Sequence, residues 1–80
     1  MLLKHVQILK SGRQIKAFDC AECDLSHQVL HFRGVVGKNR MLGNNITINH
    51  VGETYIEVDR VKRECIVIPT EPDIQMLITW

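Results

Sequence analysis

The segment that decides the fold is residues 3–18, LKHVQILKSGRQIKAF, in which two alternating stretches flank a Ser11-Gly12 pair. In the first stretch Val6 and Ile8 alternate with polar residues, and a period of two is typical of a half-buried β-strand. Glycine tolerates the positive φ that tight hairpin turns demand. The segment therefore predicts a β-hairpin, with strands over residues 3–9 and 14–18 and a turn at 11–12.

Further short apolar segments follow the hairpin. Residues 19–33 fit two interpretations: a helix with an apolar stripe from Phe18 to Phe32, or a turn through 19–26 followed by a strand over 28–36, which we favour. A polar loop is expected over 37–45, and a turn at Val51-Gly52-Glu53. The remaining strands are expected around Ile46 and Ile48 and over 55–58, 61–68 and 74–78, with a chain break at 69–72, where neither proline can donate to a ladder.

These elements amount to six or seven short strands. They predict an all-β fold, or a mainly β fold with at most one short helix, arranged as a small and strongly bent antiparallel barrel. The chain has 80 residues, which is enough for a single domain spanning residues 1–80. Small domains gain little stability from one core, and burial against identical copies often makes up the difference. We therefore expect a homo-oligomer.

Composition restricts the function classes. The formal net charge is +1, which excludes a strongly basic nucleic-acid clamp and an acidic tail. No apolar run is long enough to span a membrane, and the first residues lack the pattern of a signal peptide. With three cysteines, an odd count, a disulfide framework is not indicated. The expected location is cytoplasmic, without a membrane partner.

The segment Cys20-x-x-Cys23-x-x-x-His27-x-x-x-His31 carries the residue types that zinc prefers. Its spacing does not allow the four side chains to meet on one ion: on a strand His27 and His31 would lie ~13 Å apart. A site would need Cys20 and Cys23 together with a distant pair, such as Cys65 and either His50 or His5. We favour buried structural cysteines and surface histidines and predict no metal centre.

Catalysis is not indicated either. A Cys65–His50 pair lacks an orienting third group, the C-x-x-C motif does not follow a βαβ pattern, and there is no phosphate-cradling glycine loop. We predict a protein that is not an enzyme and has no cofactor.

Cations form two groups, Arg33, Lys38 and Arg40 in one and Arg60, Lys62 and Arg63 in the other. Each group fits a solvated surface or a local phosphate-binding patch. Aromatic residues for base stacking are few, and Tyr55 is the best candidate.

The stretch Val6-x-Ile8-Leu9-Lys10-Ser11-Gly12-Arg13-x-Ile15-x-Ala17 is similar to the first hairpin of the Sm-like family of small, strongly bent barrels. Asp24 with Val29-Leu30 resembles the aspartate loop and third strand of that family. Ile66-Val67-Ile68-Pro69 and the segment from Ile74 to Ile78 resemble its last two strands. The resemblance covers about half of the chain.

The resemblance implies a ring of subunits joined by edge-strand pairing, with single-stranded RNA bound around the pore. Carried over by position, Asp24, His27 and Gln28 would line the nucleotide pocket, with Pro69-Thr70 opposite. The leading prediction is thus a non-catalytic oligomeric module that binds single-stranded RNA. Its expected contacts are Asp24, His27, Gln28, Arg33, Lys38, Arg40 and Tyr55. The alternative is a protein–protein interaction or scaffold protein, of phage or mobile-element origin, that does not bind nucleic acid.

Overall fold

A computed structural model describes residues 3–26, 28–36, 41–49, 54–69 and 73–80. These residues form one strongly curled antiparallel sheet, a half-barrel, which confirms the predicted all-β class. The described ranges contain eight strands and no helix. The strands are β1 (Lys4–Lys10), β2 (Arg13–Cys20), β3 (Glu22–Leu25), β4 (Val29–Val36), β5 (Met41–Asn49), β6 (Tyr55–Asp59), β7 (Glu64–Ile68) and β8 (Ile74–Thr79).

The first hairpin forms as predicted. Lys10 pairs with Arg13 across a two-residue turn, in which Ser11 (φ 51°) and Gly12 (φ 79°) both adopt positive φ. This is the conformation that matches the right-handed twist of two antiparallel strands. The register shifts between Ile8 and Leu9, which leaves Ile15 as an extra residue on β2 and places its side chain on the surface.

One end of the sheet depends on a kink that two strands share. The pairs Glu22–Arg33 and Asp19–Val36 belong to the same register, so β2 and β3 are successive segments of one bent strand that runs along β4. Between these pairs, the Ala21 N–H donates to the carbonyls of Arg33 and Gly34, at 3.0 and 3.2 Å. Gly34 has a φ of 67°. With β2 and β3 counted as one bent strand, the order across the sheet is β5, β4, β2/β3, β1, β8, β7 and β6.

The kink reverses which residues face the core. Before it, Phe18 and Cys20 point inward; after it, Cys23 and Leu25 pack against the core. On β4 the inward side chains are Leu30 and Phe32 before the kink and Val35 beyond it. The core lies on the concave face of the sheet, where the rings of Phe18 and Phe32 meet edge to face at 5.3 Å between centroids. Its buried members are Val6, Ile8, Phe18, Cys20, Leu30, Phe32, Val35, Cys65, Val67, Met76 and Ile78.

Three sequence predictions need correction. Residues 19–33 contain neither the helix nor the long turn over 19–26, because β3 pairs with β4 and the connecting turn begins only at Ser26. The expected polar loop over 37–45 is shorter than predicted, since β5 begins at Met41. The strand predicted over 61–68 begins at Glu64, because residues 60–63 form the turn between β6 and β7. The turn expected at Val51-Gly52-Glu53 lies outside the described residues.

β3 forms after the kink, where the sequence predicted a turn, and this additional strand explains why eight strands are found instead of six or seven. The strand predicted over 28–36 is confirmed as Val29–Val36, and the last strand as Ile74–Thr79. Across the described ranges, no helical stretch has the length and apolar character to cross a lipid bilayer.

Two glycines with positive φ allow the kink to be tested with an internal control. A Cβ on Gly12 would meet nothing within 4 Å, whereas a Cβ on Gly34 would lie 2.9 Å from the Ala21 Cβ. We expect Gly12→Ala to lower the free energy of unfolding by about 1 kcal/mol, from the left-handed backbone alone. Gly34→Ala adds the steric clash and should cost roughly 3 kcal/mol in total. Urea unfolding monitored by circular dichroism measures both.

The clash can be separated from the backbone term by a double-mutant cycle. Ala21→Gly removes the atom that the new Cβ would strike, so the Gly34→Ala substitution should cost less in that background, by about 1–3 kcal/mol. Equal costs in the two backgrounds would show that the Ala21–Gly34 approach does not constrain the kink.

Candidate functional site

The predicted RNA contacts on β3 and β4 form an ion-pair cluster. Arg33 pairs in register with Glu22, and Asp24 pairs with His31 on the same two strands. The Arg33 guanidinium contacts the Asp24 carboxylate and lies 3.7 Å from Glu22. Arg33 is therefore held between two carboxylates on an exposed surface. A phosphate would compete with two carboxylates for this guanidinium, and this makes Arg33 a weaker candidate phosphate ligand than a cation without such partners.

Gln28 lies in the tight turn between β3 and β4. The Ser26 hydroxyl donates to the Val29 carbonyl at 3.0 Å and accepts from the Val29 N–H at the same distance. The Gln28 N–H also reaches this hydroxyl, at 3.4 Å, and the Gln28 side chain is exposed. The structure thus brings Gln28 near the end of the hairpin that carries Asp24. The other predicted contacts on this side, His27, Lys38 and Arg40, lie outside the described residues, as does Thr70.

Tyr55 stands on a different part of the sheet. It begins β6, which is one end strand of the sheet and is separated from β2/β3 by β1, β8 and β7 in the strand order. Its hydroxyl donates to Glu57, and this hydrogen bond, together with the charge of that carboxylate, raises the pKa of Tyr55 above its usual value. The ring is exposed. Tyr55 is therefore separated by several strands of the sheet from the group formed by Asp24, Gln28 and Arg33.

The three cysteines are thiols in or beside the core. Cys20 and Cys65 are buried, as predicted for structural cysteines, and Cys23 is half-buried. The kink places the Sγ atoms of Cys20 and Cys23 at 3.3 Å, which a straight strand could not do for residues three apart. Within the described ranges, no group of three or more His, Cys, Asp or Glu residues could hold a metal ion. The other candidate ligand, His50, lies outside those ranges.

Burial controls the protonation of Cys23. Loss of solvent raises the pKa of the Cys23 thiol from 9.0 to about 12, and the hydrogen bond to Cys20 and the nearby Cys20 thiol act in the same direction. Burial also raises the pKa of Cys65. A protonated thiol is a poor nucleophile and a poor metal ligand. The Cys23 side chain therefore behaves as part of the apolar core at neutral pH.

His5 forms a surface hydrogen bond away from these residues. Its Nδ1 lies 2.7 Å from the Asp19 carboxylate, across the pair of β1 and β2 on the convex face. Both side chains are about half exposed, so the pair contributes little to stability. His5 was a candidate metal ligand in sequence, and its position beside Asp19 explains it as a surface histidine.

A second surface, which sequence reasoning missed, follows β6. Among the described residues, four large apolar side chains are exposed, and three of them lie on β6 or in the turn after it: Tyr55 (54%), Val58 (48%) and Val61 (94%). The fourth is Ile15 on β2. Val58 pairs with buried Cys65, so it belongs to the concave face although half of it is accessible. The sequence pattern predicts that Val61 begins a strand, whereas in the structure it lies in the turn over residues 60–63.

Among the described residues, each end of the sheet has an unpaired edge. β6 pairs with β7 on one side, and β5 pairs with β4 on one side. Over residues 41–49 and 55–59, no ladder joins β5 to β6. Unpaired backbone groups along a strand are a template for pairing with another chain.

Comparisons with known proteins find no match among protein-family models, curated proteins or solved structures. The similarity to Sm-like proteins therefore rests only on the residues quoted for it in the sequence.

The pKa of Cys23 leads to a pH dependence of stability. Its folded value of about 12 lies above the ordinary 9.0, so the folded protein holds the proton more tightly than the unfolded chain. The stabilisation from this thiol is complete below pH 9 and is lost as the pH rises from 9 to 12. Urea unfolding of the wild type should show a steeper loss of stability over that range than unfolding of Cys23→Ala. Parallel losses would contradict the shifted pKa.

Proposed function

We propose that this protein is a non-catalytic binding module that assembles into homo-oligomers through the free edges of β5 and β6, and that single-stranded RNA is the ligand of the assembly. The observation that carries the assembly is the location of exposed apolar side chains. Two of the four in the described ranges, Tyr55 and Val58, lie on β6 itself, and β6 is an end strand of the sheet. Proteins usually protect such strands with charges, prolines or bulges.

The faces of the two edge strands are complementary. On the concave side, Ile46 and Ile48 of β5 and Ile56 of β6 pack partly against the core, and Val58 is half exposed. Pairing β6 of one copy with β5 of the next would continue this apolar layer from subunit to subunit. It would also cover Val58, and burial of apolar surface favours association.

Charge favours pairing of unlike edges over pairing of β6 with itself. The convex side of β6 carries Glu57 and Asp59. In a two-fold β6–β6 contact centred on Glu57 or Val58, carboxylates would face carboxylates, which destabilises a strand pair. On β5 the exposed convex residues are the uncharged Asn45, Thr47 and Asn49. A head-to-tail contact of this type generates a ring when the rotation closes and a filament when it does not.

The alternative function, a scaffold that binds another protein, is favoured by one observation. Arg33, the predicted RNA contact that the structure describes on β4, is held by Asp24 and Glu22. In that case an extended segment of the partner would add to the β6 edge, with main-chain hydrogen bonds giving affinity. A wild-type protein that stays monomeric and binds no oligonucleotide would favour this function over assembly.

The assembly is tested with two single variants, each of which replaces a valine by lysine. Val58→Lys places a charge on the concave face at the β6 edge, while Val61→Lys places the same charge at a site that is 94% exposed and off the edge. We expect light scattering at micromolar concentration to give an oligomeric mass for the wild type and Val61→Lys, and a monomeric mass for Val58→Lys. A monomeric wild type, or an equal effect of both substitutions, would contradict the proposal.

A further inference from the structure

The turn between β6 and β7, which we call the basic turn, comprises Arg60, Val61, Lys62 and Arg63. It is closed by the register pair Asp59–Glu64. The Asp59 carboxylate accepts hydrogen bonds from the N–H groups of Val61 and Lys62, both at 3.0 Å. Arg63 adopts a left-handed conformation with a φ of 57°, which returns the chain to β7. The backbone of the basic turn is therefore fixed by local hydrogen bonds, and its side chains project from a defined frame.

The three cations of the basic turn are exposed, and no ion pair involves them among the described residues. In the part of the chain that the structure describes, none of them lies within ion-pair distance of a carboxylate, in contrast to Arg33. The two acidic residues that flank the turn do not pair with these cations. One Asp59 oxygen accepts hydrogen bonds from backbone N–H groups, and Glu64 is partly buried on β7. The turn thus presents three positive charges that an anionic ligand can reach without first breaking an ion pair.

An aromatic residue lies next to these cations. The Trp80 N–H donates to the Arg63 carbonyl at 3.2 Å, which holds the end of the described chain against the turn. The Trp80 side chain packs partly against the core and is partly accessible. Cations that follow a phosphate backbone, combined with an aromatic surface for bases, are the features that single-stranded nucleic-acid sites share. Val61 adds an apolar side chain at the tip that can contact a sugar or base.

An anionic membrane would be a poorer partner for this turn. Membrane docking needs a sizeable apolar surface at the point of insertion, and Val61 is the only apolar side chain in the basic turn. The protein's net charge of +1 also gives little long-range attraction to a charged bilayer. A phosphodiester strand is contacted locally, phosphate by phosphate, so a small group of cations is sufficient on each subunit.

We infer that the basic turn and Trp80 form a binding site for the phosphodiester backbone of single-stranded nucleic acid. This inference rests on the proposed RNA-binding function and moves its main contacts from the β3–β4 hairpin to the β6–β7 turn. In an assembly the site would be repeated once per subunit, so that a weak single contact becomes strong through multivalency.

The test is fluorescence anisotropy with a labelled oligouridylate of about 20 nucleotides, long enough to reach more than one site. The variant Arg60→Gln/Lys62→Gln/Arg63→Asn removes the three charges, and asparagine tolerates the left-handed backbone at position 63. The matched control, Lys10→Gln/Arg13→Gln/Lys16→Gln, removes three exposed cations around the β1–β2 turn instead. Thermal unfolding checks that both variants fold.

We expect the basic-turn variant to bind at least about tenfold more weakly than the wild type, and the control to bind within about twofold. The slope of log affinity against log salt should decrease in magnitude by about two for each site, because three phosphate contacts to a single strand are lost. Trp80→Ala should weaken binding with little change in that slope, because stacking releases no counterions.

The outcomes separate this inference from the proposed function. Equal losses in the two triple variants would overturn the site while leaving RNA binding in place. No binding by the wild type would overturn both, and binding to phosphatidylserine vesicles alone would assign the turn to membranes. The monomeric Val58→Lys variant should still bind, with lower affinity and with the same dependence on the basic turn. If removing the basic-turn charges did not change the affinity of the Val58→Lys variant, the site would also be rejected.

Discussion

The close approach of Ala21 and Gly34 is the constraint on which the curvature of the sheet depends. A side chain at position 34 would collide with the Ala21 Cβ, and the Gly34 backbone adopts a conformation that L-residues rarely adopt. With that contact in place, β2/β3 and β4 bend together and keep one register through the bend. The same bend brings Cys20 and Cys23 side by side within the apolar interior. Curvature, core composition and thiol chemistry at this end of the sheet thus follow from one backbone contact.

Curling the sheet leaves β5 and β6 as its two ends, and these ends carry the surfaces on which the proposed function depends. Apolar residues at the β6 edge favour association, and the basic turn follows directly from the same strand. Assembly and ligand binding would therefore be adjacent but separable, because Val58 faces the concave side while the cations project from the turn. This arrangement would suit a protein with almost no net charge, because repetition in the proposed assembly would give it a charged surface.

The sequence predicted those parts of the fold that local patterns control. The Ser11-Gly12 turn and the alternation around it defined the first hairpin, and strands β4, β6 and β8 were found close to their true limits. The kink could not be predicted, because the inward face changes between Cys20 and Cys23 and the resulting spacing imitates a helix. Arg33 was placed in a phosphate site because its carboxylate partners become neighbours only through strand pairing. Val61 was assigned to a strand because the pattern alone cannot show that Asp59 closes a turn before it.

The shared kink also limits which insertions and deletions the two strands can tolerate. The residues that face the core change from one parity to the other at the kink, at paired positions on both strands. One residue added to or removed from either strand alone would therefore move the side chains beyond it from the core face to the solvent face. An unmatched change would need a bulge to absorb it, as at Ile15 on β2, whereas matched length changes in the two strands would preserve the fold directly. In a set of homologous sequences, gaps near position 21 should therefore coincide with gaps near position 34, and the small residues at these positions should covary.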